Sequence, residues 1–345
     1  MTRSYNGYLA FIVLLTSRIS CKELTEIEVL SSQPTRCTYE HAYDMYGAHC
    51  GGLRLTKIPS LRSGIEILDF SDNKLQELHA DTFSSYTSIK FLYLAENQIY
   101  MIDKDAFAAL TDLQTLDLSK NVILELPNTI FQLPSLRKLY LGGNPLLHLS
   151  FKYLTIKKPI QAPLELLDLS DCKINQLPDW GVLPQLILYN ISHNPLTTLD
   201  AQHFSAMCKL AKVDLTESID KIKICELKMT VMWFQEKRVY FHLSDYTKLN
   251  SREFENCPRP EILGALNASY HHCKSVYTQV QNVKSSRRTW LTISGGLAGF
   301  LVGFVLLLYI MHRHNVAQTK RTVKNKNPSP IGDKNATAVL LNDVS

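Results

Sequence analysis

The chain has 345 residues, 45% of them hydrophobic and 20% charged, with 8 cysteines and a formal net charge of +5. That is enough apolar material for a sizeable core, and it excludes a disordered chain. Six of the cations (Arg313, Lys320, Arg321, Lys324, Lys326 and Lys334) crowd the last segment, while Arg3 and Arg18 stand near the start. What lies between is close to neutral, which gives no reason to expect a nucleic-acid partner.

In chain order, the first element is the apolar run of residues 8–15, preceded by Arg3 and followed by Thr16 and Ser17. This is the layout of a secretory leader and too short to span a bilayer, so residues 1–21 are expected to be a signal peptide cut between Cys21 and Lys22. An uncleaved signal anchor is the alternative, disfavoured by the same shortness. Residues 22–59 precede the regular pattern and end in what reads as half of one period, Leu53, Leu55, Ile58 and Pro59.

From residue 60 to 216 the chain repeats L-x-x-L-x-L-x-x-N-x-L. The copies are Ile65, Leu68, Phe70, Asn73, Leu75; Ile89, Leu92, Leu94, Asn97, Ile99; Leu113, Leu116, Leu118, Asn121, Ile123; and Leu136, Leu139, Leu141, Asn144, Leu146. Leu164, Leu167, Leu169 and Ile174 follow with Cys172 in the asparagine slot, then Leu186, Tyr189, Ile191, Asn194 and Leu196. A seventh copy, Leu210, Val213 and Leu215, breaks off without its asparagine, so about six full repeats and one truncated repeat are expected. A chance amphipathic helix would not keep Asn in register; the pattern is that of a leucine-rich repeat array. Each period then forms a short strand, a turn and a looser return segment, and its inward leucines are buried only when neighbouring coils stack. Phe83, Phe107, Phe131 and Phe204 are the inward residues of the return segments, and the Asn amides are placed to serve backbone groups of adjacent turns.

Solenoid ends need covers, and exported proteins often staple them with disulfides. Over residues 37–273 the chain resembles the animal extracellular leucine-rich repeat family, with Toll-like receptor exteriors among the relatives. "CGGLRLTKIP", which follows Cys37 and opens on Cys50, is similar to the end of that family's amino-terminal cap, and "CELKMTVMWF" is similar to its carboxy-terminal cap. The resemblance implies an α/β-type solenoid with a curved parallel sheet, an irregular convex side and disulfide caps. In the family the second cap usually opens with Cys-x-Cys; Lys223 stands where the first would be, which leaves the pairing among Cys208, Cys225, Cys257 and Cys273 open. Cys172 is expected to be a buried thiol. With Cys21 removed in the leader, six cysteines remain for three bridges; with Cys21 retained, one is left for an intermolecular bond.

Residues 217–273 form this second cap and 274–289 a stalk. Trp290–Met311 contains no charge and at 1.5 Å per residue extends about 33 Å, enough for one transmembrane helix. Gly295, Gly299 and Gly303 fall on one face of it as two overlapping small-xxx-small steps, the basis for a lateral homodimer. The tail, 312–345, is too short for a folded signalling domain, so a counterpart of the intracellular domain of Toll-like receptors is not expected in it. Its basic residues fit an anionic inner leaflet, and "NPSP" at 327–330 is a candidate phosphorylation site. Together these segments describe a single-pass type I plasma-membrane protein, mainly on the strength of the leader.

No nucleophile motif, phosphate loop or zinc-spaced cysteine pair is present, so neither enzyme activity nor a cofactor is expected. His271 and His272 beside Cys273 read as surface, not as a metal site. Asp69, Asp117, Asp168 and Asp214 line one strand face, where the family favours Asp for structural reasons. Phe91, Tyr93, Lys138 and Tyr140 project from that same face and are the candidate ligand-binding residues, since amphipathic aromatics suit protein recognition. The insertion 151–163 is a second candidate surface. Sequons at Asn190 and Asn267 are candidate glycosylation sites, while Asn335 falls in the tail. The expected function is recognition of an extracellular or cell-surface protein, as an adhesion protein or receptor. The alternatives are an innate-immune receptor or co-receptor for microbial ligands, and an accessory subunit of a membrane channel or receptor.

Overall fold

The computed structural model describes residues 36–146, 159–243, 252–257 and 263–325. The expected leader with Cys21, most of the 151–163 insertion, and the tail from 326 with "NPSP" and Asn335 lie outside them. Two compact units divide the chain at Thr278 and Gln279.

The first unit is built on strands β1 (Thr38–Ala42), β2 (Met45–His49), β3 (Ile67–Asp69), β4 (Glu77–Leu78), β5 (Phe91–Tyr93) and β6 (Met101–Ile102). They continue as β7 (Thr115–Asp117), β8 (Lys138–Tyr140), β9 (Leu166–Asp168), β10 (Leu188–Asn190), β11 (Lys212–Asp214) and β12 (Tyr240–His242). Ten of them form one sheet in the order β1-β2-β3-β5-β7-β8-β9-β10-β11-β12, while β4 and β6 pair beside it. All pairs are parallel except the β1–β2 hairpin. Because register is kept from strand to strand, the central residues Leu68, Leu92, Leu116, Leu139, Leu167, Tyr189 and Val213 stack in one buried file. The flanking residues of each strand face the other way.

Behind the sheet a second file closes the core. Phe83, Phe107, Phe131 and Phe204 are buried, with the Phe83 and Phe107 rings stacked at 5.9 Å. The turn after each strand is equally regular: Asp72, Glu96, Lys120, Gly143, Asp171, His193 and Glu217 all adopt positive φ, one residue before the polar slot. Gly143 is the one glycine among them, and a Cβ there would lie 3.2 Å from Lys120 Cγ.

The slot residues explain why the turns tolerate burial. Asn97 Nδ2 donates to Phe70 O of the preceding coil at 2.9 Å and to Leu94 O at 3.1 Å, while its Oδ1 accepts from Leu75 N at 3.0 Å. Asn73, Asn121, Asn144 and Asn194 make the same carbonyl bonds. Backbone groups that would otherwise be orphaned are thereby satisfied. In the seventh coil Ser218 fills the slot: its Oγ donates to Ile191 O at 2.8 Å and accepts from Asn194 N at 2.9 Å. The repeat that seemed truncated in sequence thus keeps its turn with a shorter side chain.

Three disulfides close the ends: Cys37–Cys50, Cys208–Cys273 and Cys225–Cys257. The helices are α1 (Gln202–Ser205), α2 (Ile224–Lys237), α3 (Arg252–Glu255) and α4 (Leu263–Asn325). Leu227, Thr230, Val231 and Phe234 give α2 an apolar stripe at i, i+3, i+4 and i+7, and Arg238 ends it in a left-handed conformation. Phe234 packs edge-on against Phe204 at 4.8 Å, so the cap continues the phenylalanine file of the repeats. The strand β12 follows α2 and extends the sheet by one, pairing in parallel with β11.

Helix α4 is uninterrupted over 63 residues and contains the stretch expected as a stalk, 274–289, as well as the apolar 290–311. It is the one helix among the described residues that is long and apolar enough to cross a membrane.

Candidate functional site

Each three-residue strand offers two residues to the open side of the sheet, so the sequence period sets out two columns. The first runs Ile67, Phe91, Thr115, Lys138, Leu166, Leu188, Lys212; the second runs Asp69, Tyr93, Asp117, Tyr140, Asp168, Asn190, Asp214. Phe91, Tyr93, Lys138 and Tyr140 therefore share one face, with only β7 between the two pairs. At roughly 4.8 Å per strand, Tyr93 and Tyr140 stand about 10 Å apart with Asp117 between them.

That neighbourhood holds both phenols in the protonated, donor form. Burial pushes the Tyr93 hydroxyl up, and the Asp117 and Asp69 carboxylates push it the same way. Tyr140 is raised by burial first and then by Asp117, Tyr93 and Asp168. A tyrosine that keeps its proton beside carboxylates presents an apolar ring with a hydrogen-bond donor at its tip.

The aspartates in the second column have a local task. Asp117 Oδ1 accepts from Ser119 N at 2.9 Å and Ser119 Oγ at 2.6 Å; Asp214 Oδ1 accepts from Thr216 N at 3.0 Å and Thr216 Oγ1 at 2.6 Å. Asp69 and Asp168 bond the amide two residues on in the same way. Each fixes the turn that leads out of its strand, which is the structural reading of this row. The row is closed by histidines at both ends, His49 Nδ1 3.9 Å from Asp69 and His242 Nδ1 3.9 Å from Asp214.

Further along the face, between β8 and β11, the surface sinks into a depression of about 160 Å³. Leu166 and Leu188 form its apolar part, and Tyr140, Asp168, Asn190, Lys212 and Asp214 its polar part. Asn190 accepts from Ser192 N at 3.2 Å and Ser192 Oγ at 2.9 Å. The other sequon is placed differently. Asn267 lies on α4 and its Oδ1 accepts from Lys237 Nζ at 2.7 Å, while that ammonium sits 4.5 Å from the Trp233 ring centre and 4.7 Å from that of Tyr270.

Among the described residues no group of three or more His, Cys, Asp or Glu is arranged to hold a metal. His271 packs edge-on against Tyr270, and Cys273 is bonded to Cys208. Cys172 is a free thiol, fully buried, donating to Leu141 O at 3.3 Å, and burial pushes its pKa up to about 12. On α4, a Cβ added at Gly295, Gly299 or Gly303 would meet nothing within 4 Å, so the three leave a bare strip of backbone.

Sequence reasoning missed Ser218, β12 and the β1–β2 hairpin. Ser218 had a signal, since it stands three residues after Leu215, as Asn73 does after Phe70.

With this geometry in place, the comparison with known families gives one match: a leucine-rich repeat model covers residues 92–146, the second to fourth coils. The match, the ordered parallel sheet and the disulfides identify a leucine-rich repeat architecture with one candidate membrane helix, of a kind that commonly mediates protein–protein interaction. No curated protein matches the chain.

Proposed function

We propose that the chain is a single-pass, type I plasma-membrane glycoprotein that binds a protein ligand through the sheet face of strands β3–β8, in cell adhesion or recognition, without catalysing a reaction. The observation that carries this reading is the register of Phe91, Tyr93, Lys138 and Tyr140 on one face, with both phenols kept protonated around Asp117. Rigid amphipathic aromatics lose little side-chain entropy on contact and are common anchors of protein interfaces. Disulfides persist in oxidising compartments, which supports placing the repeats outside the cell and residues 312–345 inside.

The test uses the full chain displayed on cells and a panel of purified partners: its own exterior, other surface exteriors and microbial glycans. Binding to itself or to a surface protein, lost in the Tyr93→Ala, Tyr140→Ala double variant, is the expected result. Binding that survives the double variant rejects this face, and binding to microbial material alone makes the protein an innate-immune receptor or co-receptor.

A second role, as a lateral homodimer or an accessory subunit of a membrane channel or receptor, is favoured by the bare backbone strip of Gly295, Gly299 and Gly303. Gly299→Leu is expected to abolish crosslinking in the membrane while sparing ligand binding.

A further inference from the structure

We propose that Asn190 carries an N-linked glycan that occupies the depression between β8 and β11, so that a protein ligand meets the sheet face of strands β3–β8 with Tyr140 at the edge of the glycan. This rests on the reading that the repeats are exported.

Asn190 ends β10, and its neighbours in the same column are Asp168 and Asp214. Those two show what the position requires: one oxygen that accepts from the amide two residues on, at 2.9 Å for Ser170 and 3.0 Å for Thr216. Asn190 meets that requirement with Oδ1, which takes both the amide and the hydroxyl of Ser192. The second atom of the side chain is not needed by the turn, and here it is nitrogen. Because the carboxamide is planar, turning Oδ1 to Ser192 leaves Nδ2 on the other branch of Cγ, and Asn190 is part of the lining of the depression. The Asn-Ile-Ser order places a hydroxyl against the amide oxygen, which leaves Nδ2 as the atom for substitution.

The space suits a saccharide. At about 160 Å³ it falls below the roughly 300 Å³ at which sites for drug-sized molecules begin, so it matches one ring at the base of a longer chain. Leu166 and Leu188 can meet the C–H face of a pyranose, and Asp168, Lys212 and Asp214 offer acceptors and a donor for its hydroxyls. Transfer needs a polyprenyl-pyrophosphate-linked oligosaccharide as donor. Nδ2 loses one proton to a base of the transferring enzyme and forms the N–C bond to the anomeric carbon, and the polyprenyl pyrophosphate leaves with the electron pair. Asn267 makes a contrast, since its amide oxygen holds the Lys237 ammonium within the cap.

The test takes the full chain from the membranes of animal cells, as wild type, Asn190→Asp and Asn267→Gln. Disulfides and glycopeptides are mapped by mass spectrometry. Surface amines are acetylated with a water-soluble reagent, comparing Lys212 with Lys104, whose side chain is 82% exposed and lies outside the sheet face. The expected result is a glycan on the Asn190 peptide in wild type and in Asn267→Gln, and its loss in Asn190→Asp. That variant keeps the fold, because Asp is what both neighbours carry, and its Lys212 acetylation rises several-fold relative to Lys104. An unmodified Asn190 in protein whose three disulfides are closed overturns the proposal. A glycan at Asn190 that leaves Lys212 as reactive as in Asn190→Asp overturns its placement in the depression. Free cap thiols together with bare sequons overturn both this proposal and the export reading beneath it.

Discussion

In five of the seven coils a single carboxamide ties its own turn to the coil before it. Asn121 Nδ2 donates to Leu94 O at 3.0 Å, Leu118 O at 2.9 Å and Ser119 O at 3.1 Å, sharing its two hydrogens among three carbonyls, while Oδ1 accepts from Ile99 N at 3.0 Å. Asn121→Ala leaves these groups buried without partners and is expected to cost about 3 kcal/mol, read as a lower denaturant midpoint at unchanged slope. Cys172 shows how far the slot can be relaxed, since its thiol takes the place of the amide in bonding Leu141 O and Ser170 O. With its pKa pushed up to about 12 by burial, Cys172 is expected to resist maleimide at neutral pH in the folded protein and to label only after denaturation. At this scale the sequence was informative wherever identity followed the period, as with Asn97 or Phe107. It was silent on the aspartates' bonds to the residue two positions on, because those depend on the turn conformation at Asp72, Glu96 and their equivalents.

Elements that repeat were legible, as was the apolar run 290–311, while other elements that occur once were not. The strand file from Leu68 to Val213 follows from spacing alone, whereas β12 has no second copy to align with. The β1–β2 hairpin turns at Tyr43 and Asp44, both at positive φ, where Asn-Gly is the usual signal. Residues 274–289 carry Val276, Val280 and Val283 at i, i+4 and i+7, a helical spacing that the stalk reading passed over, and α4 runs through them. The carboxy-terminal cap is held by α2, whose Cys225 bonds Cys257 across 32 residues of sequence. By loop entropy that crosslink stabilises by about 4 kcal/mol, so Cys225→Ser with Cys257→Ser is expected to unfold the cap first. Limited proteolysis should then cut after α2 while the coils of β3–β9 stay intact; a cut appearing first among the repeats would contradict this.

Across the whole repeat unit, nearly every long-range bond joins a coil to the one before or after it. The long-range bonds of the slot asparagines reach residues 18 to 27 positions away and no further, from Leu55 N donating to Asn73 Oδ1 to Asn97 Nδ2 donating to Phe70 O. Stability is therefore set by neighbours, and amide exchange is expected to be slowest in β7–β9 and faster towards both caps. A flat protection profile from β3 to β11 would instead indicate one all-or-none unit. The strand order, which departs from chain order only where β4 and β6 stand aside, has a consequence for synthesis. A ribosome releases this chain in the order in which the coils stack, so each finished coil becomes the template for the next while the rest is still being made. The nascent protein never has to wait for its far end, and the first aromatic pair of the sheet face, Phe91 and Tyr93, can be in place before the membrane segment has been translated.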